Sequence, residues 1–383
     1  MTKPSLLIVC FSDISKDARV LKQVRAFAEQ YSVTTCGFGE TPVAGVEHLR
    51  ADLGQRQPNR GPQRYAKGAL DLAARAFGWW NWTYRQIPHV VRARELLRGR
   101  KFDAVLANDV DTIPIALELE SKGVHADLHE FFPGIYDSAT SAGRKQTAYL
   151  TWLVKRYASR AISATTVAAG LAEAYRDYRI ECEVVTNATP RFELSPQSVR
   201  RPIKLVHSGV AQPSRQLELT MEAVAASSAD VTLDLYLMPN DVVYLAELVK
   251  LAKRIGPRVT IHDPLPQSEL VTGLNSYDVG IFVLPPTSFN NANALPNKFF
   301  DFVQARLGLL IGPTPEMAKI LNEYGIGAVT TDFSIVSIRA AIDALDEETV
   351  AEWKQRSDAA SVPLSADVQV AVWGRAIDRI LAR

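Results

Sequence analysis

The chain has 383 residues, with 43 Lys and Arg against 42 Asp and Glu, a formal net charge of +1, and hydrophobic and charged fractions of 47% and 22%. That length holds two ordinary domains, each with its own core, and that composition excludes a disordered or fibrous chain. The near-neutral balance argues against nucleic acid as a partner, and Cys10, Cys36 and Cys182 are too few and too scattered for a disulfide framework or a metal knuckle.

The opening run MTKPSLLIVCFSD stops at a polar residue without a small-residue cleavage pattern, so it reads as a first strand rather than a signal peptide. No later stretch has the apolar length of a membrane span. The expected location is the cytoplasm. Residues 5–10 form an apolar strand, and 14–30 carry Val20, Leu21, Val24, Phe27 and Ala28 at helical spacing. Strands follow at 32–36 and 102–107, a helix at 112–121 and a strand at 124–128. Two helices around a short strand at 161–164 come next, then a strand at 182–185. Such alternation predicts a parallel sheet with helices on both faces, whose ligands sit beyond the carboxyl ends of the strands. The residues at those ends are Ser12 and Asp13, 108–111 including Asp109, His129 with Glu130, and Asn187.

Residues 55–101 break the alternation. Eleven Lys or Arg stand there against two acids, together with Trp79, Trp80 and Trp82, three of the six tryptophans. A basic stretch with clustered aromatics suits an anionic membrane surface on the inner face of the membrane. The alternative is a solvated insertion whose aromatics pack down on the domain.

Residues 187–202, NATPRFELSPQSVRRP, lack periodicity and read as a linker. Alternation then restarts, with strands at 203–207, 231–237 and 259–262 and helices at 216–225, 241–255 and 267–275. The expected division is 1–190 completed by a C-terminal helix 365–383, a linker 191–202, and a second unit 203–364. Two doubly wound units joined in this way leave a cleft.

The last strand of that series, 279–284, leads into PPTSFNNANALPNKFFDFVQARLGLLIG, residues 285–312. Pro296 sits where a helix begins. Such a helix brings Lys298 near Asp301 and turns Phe299, Phe302 and Val303 inward. Free amides and the helix dipole suit an anion there, and an anion would explain a lysine in the first turn. The alternative is an ordinary crossover helix with a solvated Lys and Asp. Upstream, HSGVAQPSRQ sets Gly209 after a strand and Arg215 at a helix start, where the planar guanidinium can grip a diphosphate. Two phosphate-suited loops in one unit point to a nucleoside diphosphate. Helices at 315–324 and 335–345 bracket a short strand, and 367–381 is an amphipathic helix containing Trp373.

In the first unit His129 can bond a sugar hydroxyl or move a proton, or merely cap a loop. Asp109, Asp111 and Asp13 flank no second acidic cluster, so no metal is expected. The sequence has no Walker loop, no GxGxxG after the first strand, no GxSxG and no HExxH.

Four stretches, KDARVLKQVRAFAEQYSVTTCGFG, VLANDVDTIPIALELESKGVHADLHE, HSGVAQPSRQLELTMEAV and NALPNKFFDFVQARLGLLIG, together resemble a retaining glycosyltransferase of the GT-B fold, of the family 4 type, across nearly the whole chain. The resemblance implies an α/β protein of two Rossmann-like, doubly wound domains facing across a cleft, with the C-terminal helix crossing back to the first. It implies a nucleotide-diphosphate sugar as donor, with UDP or GDP as nucleotide, a hydroxyl acceptor and no cofactor or metal. Two acidic residues separated by seven others bracket the donor loop in that family; here the pair is Asn293 and Asp301. Asp301 keeps a carboxylate for ribose, whereas Asn293 carries no charge. The donor set becomes Gly209, Arg215, Ala294, Leu295, Lys298 and Asp301. His129 matches the family's active-site histidine and is assigned a catalytic role with Asn293. Ser12, Asp13 and Lys16 to Arg19 replace the usual glycine-rich acceptor loop after the first strand, and Ser12, Asp13, Arg19 and Asp109 are assigned to the acceptor side. An epimerase of the same fold would want more acid and base groups than are found, while Asn293 keeps a non-catalytic binding or scaffold subunit open.

Overall fold

The computed structural model describes residues 3–52, 77–136 and 139–383. Two sheets organise them, and every strand pair in both is parallel. The first contains β1 (Ser5–Asp13), β2 (Ser32–Phe38), β3 (Glu47–Arg50), β4 (Ala104–Asn108), β5 (Val124–Leu128), β6 (Ser163–Thr166) and β7 (Cys182–Val184), in the order β3-β2-β1-β4-β5-β6-β7. The second contains β8 (Ile203–Val210), β9 (Val231–Met238), β10 (Val259–His262), β11 (Val279–Phe282), β12 (Gly308–Ile311) and β13 (Gly327–Val329), in the order β10-β9-β8-β11-β12-β13. Each sheet thus reverses direction beside its first strand, between β1 and β4 and between β8 and β11. This is the doubly wound nucleotide-binding order, and the reversal marks where ligands bind.

The chain divides into two compact units, one of Met1–Val185 with Val370–Arg383 and one of Thr186–Gln369. The handover falls at Val185, a few residues before the expected 190. Along β1 the side chains alternate: Leu7 and Val9 belong to one core cluster, Leu6, Ile8 and Cys10 to the other. A strand with both faces apolar needs helices on both. The helix Ala18–Ala28, capped by the Asp17 carboxylate, covers one face together with the C-terminal helix Ala366–Leu381, whose Trp373, Ile377 and Ile380 are fully buried.

The other face is covered partly by residues that the sequence marked as an insertion. Residues 55–76 of that stretch lie outside the described residues. Trp80–Gln86 and Pro88–Leu97 are helices, and Tyr84, Val90, Ala93 and Leu97 enter the core. They are the crossover between β3 and β4; their high arginine content lies on the outer face and hides the apolar spacing. The helix expected at 112–121 shrinks to Ile113–Ala116, with Pro114 in its first turn, because Glu120 instead bridges to Lys101.

The expected linker has no regular secondary structure but is tied along its own unit. Thr189, Phe192 and Ser195 bond to Asp301, to Gln304 and Arg306, and to Asn275 respectively. The helix Glu347–Ala360 was not expected; its Asp346 cap accepts from Thr349. Among the described residues no helix is long and apolar enough to cross a membrane.

Candidate functional site

In the second unit, Pro296 caps the helix Asn297–Gln304, supplying fixed φ and needing no partner for an N–H. Phe299, Phe300, Phe302 and Val303 are at most 1% exposed, more of the helix than a single inward face. Gly280 on β11 allows this, since a Cβ there would lie 2.3 Å from the Phe302 ring.

Lys298 consequently lies across the carboxyl end of β8. Its Nζ is 4.8 Å from the centre of the Phe282 ring, and its Cε is 3.2 Å from where a Cβ on Gly209 would stand. The room that glycine leaves is taken by Lys298. Burial, and then the charge of Arg215, lower the ammonium to a pKa of about 8, with Asp301 opposing. Arg215 ends a single 3-10 turn, Pro213–Arg215, just before the helix Leu217–Ala226, and burial lowers its pKa as well. Its buried Nε has no hydrogen-bond partner. Neither cation forms an ion pair among the described residues.

His207, missed from the sequence, completes this corner. It is 6% exposed, and its Nδ1–H donates to the Ile281 carbonyl at 3.0 Å. Burial and then Lys298 push its pKa down to about 3, so the ring is neutral and Nε2 is a lone-pair acceptor facing Lys298. The only sequence signal was its place two residues before Gly209.

Asp301 lies one turn beyond Lys298, 4% exposed, and its Oδ1 accepts from Thr189 Oγ1 at 2.6 Å. Asn293 follows the short helix Phe289–Ala292, and its Nδ2 donates to the Phe289 carbonyl at 2.9 Å. The Ala294 amide donates to the Asn291 carbonyl, and the Leu295 carbonyl accepts from Asn187 Nδ2. The structure therefore gathers Gly209, Arg215, Lys298 and His207 at one strand end, while Asn293 and Ala294 are bonded within their own loop and Asp301 is bonded to Thr189.

In the first unit the expected residues split. Ser12 donates to the Asp17 cap at 2.9 Å, and Asp13 accepts from Ser15 and pairs with Lys16 at 3.0 Å. Arg19 is 5% exposed, inside the unit rather than on its surface. Its Nε and Nη2 fork onto the two oxygens of Asp127 at 2.8 and 2.7 Å, and Trp373 covers the guanidinium with its ring centre 4.8 Å away. Asn108, expected only as a strand-end residue, belongs to the same buried group with Asp127 and Gln23, which were not singled out from the sequence. A buried aspartate in a strand read only as a break in an apolar run.

His129 lies at the end of β5, 18% exposed in its side chain. Its Nε2 is 3.2 Å from Asn108 Oδ1 and 3.3 Å from Asp127 Oδ2, and its Nδ1 is 3.5 Å from Asp109 Oδ1. Burial opposes charge on the ring, but Asp109 and Asp127 outweigh it and raise its pKa. Asp109 has φ +65, a left-handed backbone that aspartate tolerates at some cost. Burial, then Asp109, raises the Asp111 carboxyl to about 7. Among the described residues no three His, Cys, Asp or Glu side chains converge as a metal-ligand set.

No family model matches the sequence, and neither does any curated protein. Solved structures do match in fold. Sucrose-phosphate synthase from Thermosynechococcus elongatus has a TM-score of 0.72 at 10% identity, covering 99% of this chain and 100% of its own. Anabaena HepE in complex with UDP-glucose has a TM-score of 0.69 at 13% identity, covering 99% of both chains. The α,α-trehalose 6-phosphate synthase from Burkholderia multivorans has a TM-score of 0.64 at 11% identity, covering 100% and 99%. The fold of this chain is accordingly α/β, two Rossmann-like units of the GT-B class.

Proposed function

We propose that the chain is a glycosyltransferase that moves a sugar from a nucleotide-diphosphate sugar, with UDP or GDP as nucleotide, to a hydroxyl acceptor. The observation that carries this is the pair Lys298 and Arg215, two cations at the reversal point of the second sheet that repel each other and form no ion pair among the described residues, with Asp301 offsetting Lys298 less than burial and Arg215 oppose it. Bringing two positive groups together in a buried corner without an ion pair is unfavourable, and a diphosphate supplies the further negative charge. The fold likeness adds support, because HepE, a protein of the same fold class, was crystallised with UDP, with UDP-glucose, and with UDP and glucose.

Both cations would stabilise the diphosphate as it leaves, when its charge is greatest. His207 Nε2 offers an acceptor beside them. Retention, the family 4 type, independence of metal, and a lipid-linked, cell-envelope polysaccharide or small-molecule acceptor are the finer parts of this proposal. UDP or GDP is expected to raise the melting temperature, and incubation with the matching nucleotide sugar and acceptor to release the nucleoside diphosphate. No shift with UDP, GDP or ADP overturns the donor site.

A binding subunit without turnover is the second reading, favoured by the uncharged Asn293, whose amide is committed to Phe289. Nucleotide binding without diphosphate release across donors and acceptors would select it.

The proposed setting is the cytoplasm, with peripheral attachment to the inner face of the membrane. Phe77 and Trp79 are 75% and 54% exposed, and the helix Ser141–Tyr157 presents Arg144, Lys145, Lys155 and Arg156 outward, in a run 139–172 without an acid. Replacing Phe77 and Trp79 by Ala should weaken sedimentation with anionic vesicles about tenfold. Unchanged binding would remove the aromatic anchor.

A further inference from the structure

We infer that His129 is a fixed imidazolium rather than a general base, held in that state by Asp127 and Asp109, with Arg19, Gln23 and Asn108 as positioning residues. The proton positions follow from the direction of the hydrogen bonds. Asn108 Nδ2 donates to Gln23 Oε1 at 2.9 Å, and Gln23 Nε2 donates to Asp127 Oδ2 at 2.6 Å. Asn108 therefore turns its Oδ1 to His129, which can only accept, so Nε2 must carry a proton. The second nitrogen, Nδ1, faces the Asp109 carboxylate at 3.5 Å. A lone pair there would oppose the carboxylate, whereas a second proton makes an ion pair.

The remaining charges around the ring agree. Arg19 opposes the imidazolium but is itself forked onto Asp127, and burial raises the carboxyls of Asp109, Asp111 and Glu130 while a positive charge on His129 opposes that rise at each of them. Thr165 Oγ1 donates to the other oxygen of Asp127 at 2.6 Å and accepts from Trp373 Nε1 at 3.2 Å. The C-terminal helix thereby closes the group. With both ring nitrogens engaged, His129 offers a ligand positive field, not a lone pair. As a role in sugar transfer, this rests on the function proposed above; as a statement about the ring, it does not.

The test is NMR of the full chain with 15N-labelled histidine, using His129→Gln to assign one of the six histidines. His129 is expected to show two protonated nitrogens at pH 7 and to titrate above the ordinary histidine value. Asp109→Asn should shift that titration down while the other histidines stay in place, and Asp127→Asn should shift it further. Asp127 is buried against Arg19, so its variant risks misfolding; Asp109, partly exposed and in a backbone conformation that asparagine also adopts, carries the test alone if needed. A ring with one protonated nitrogen at pH 7, or one indifferent to Asp109→Asn, overturns the inference. Neither result depends on nucleotide, so absence of a UDP or GDP shift would count against the proposed function only.

Discussion

Replacing Arg215 with Ala is expected to weaken UDP or GDP binding about 10- to 100-fold while leaving the melting temperature of the free protein unchanged or raised. A hydrogen bond to a charged group contributes about 1.5–3 kcal/mol, and about 1.4 kcal/mol is tenfold in affinity. The free protein loses nothing comparable, because Arg215 Nε is buried without a partner and the guanidinium opposes Lys298. A structural arginine behaves the other way, and a fall in melting temperature with unchanged affinity would refute the assignment. Arg215→Lys keeps charge but not the fork and should recover only part of the affinity.

The same corner predicts a pH dependence. Lys298 titrates at about 8 in the free protein, below its ordinary 10.5, through burial and then Arg215. A bound diphosphate favours the ammonium and raises that value. Affinity is then greatest below pH 8 and falls as pH rises through 8, where the free lysine is neutral and binding must take up a proton. Calorimetry at pH 9 in buffers of different ionisation enthalpy measures the uptake. Lys298→Met should remove both the uptake and the slope; a slope that survives assigns it elsewhere.

Alternation of apolar strands and amphipathic helices was enough to read most of both sheets, because fully buried parallel strands appear as apolar runs and their helices show the 3.6-residue period. The edge strand β3, EHLR, is largely polar and was not expected, and β12 was not named as a strand. What escaped has particular causes. The helix Glu347–Ala360 has few apolar positions, and its buried Lys354 reaches the Tyr277 carbonyl at 2.6 Å, a long-range partner that local sequence does not reveal. Arg19 is polar and near a strand end, so it reads as a surface ligand. Only folding brings it to Asp127, 108 residues away, and under Trp373. Lys298 and Arg215 were legible because each sits at a helix start, where sequence spacing and physical position coincide. His207 was not, since a histidine inside a strand gives no sign of which nitrogen faces the site.

Trp373→Ala is expected to destabilise the first unit by about 3–5 kcal/mol, the usual cost of emptying a buried tryptophan site. The side chain is fully buried in the cluster that holds Leu6 and Ile8 of β1 and Val20 and Val24 of the helix Ala18–Ala28, so the hole opens against a strand and a helix that have little freedom to close it. Arg19 also loses the ring over its guanidinium, and Thr165 loses a donor. Trp373→Phe separates these effects: it refills most of the volume and keeps an aromatic face for Arg19, but removes the N–H. Urea unfolding should therefore show a loss for Phe of about 1 kcal/mol, the scale of a single buried hydrogen bond, against the larger loss for Ala. The His129 signal distinguishes packing from linkage. If Thr165 turns away from Asp127 once Trp373 no longer holds it, the carboxylate faces His129 with fewer competing donors and the imidazolium titrates higher in both variants. If stability falls and His129 does not move, Trp373 acts by filling space alone, and the group around His129 ends at Thr165.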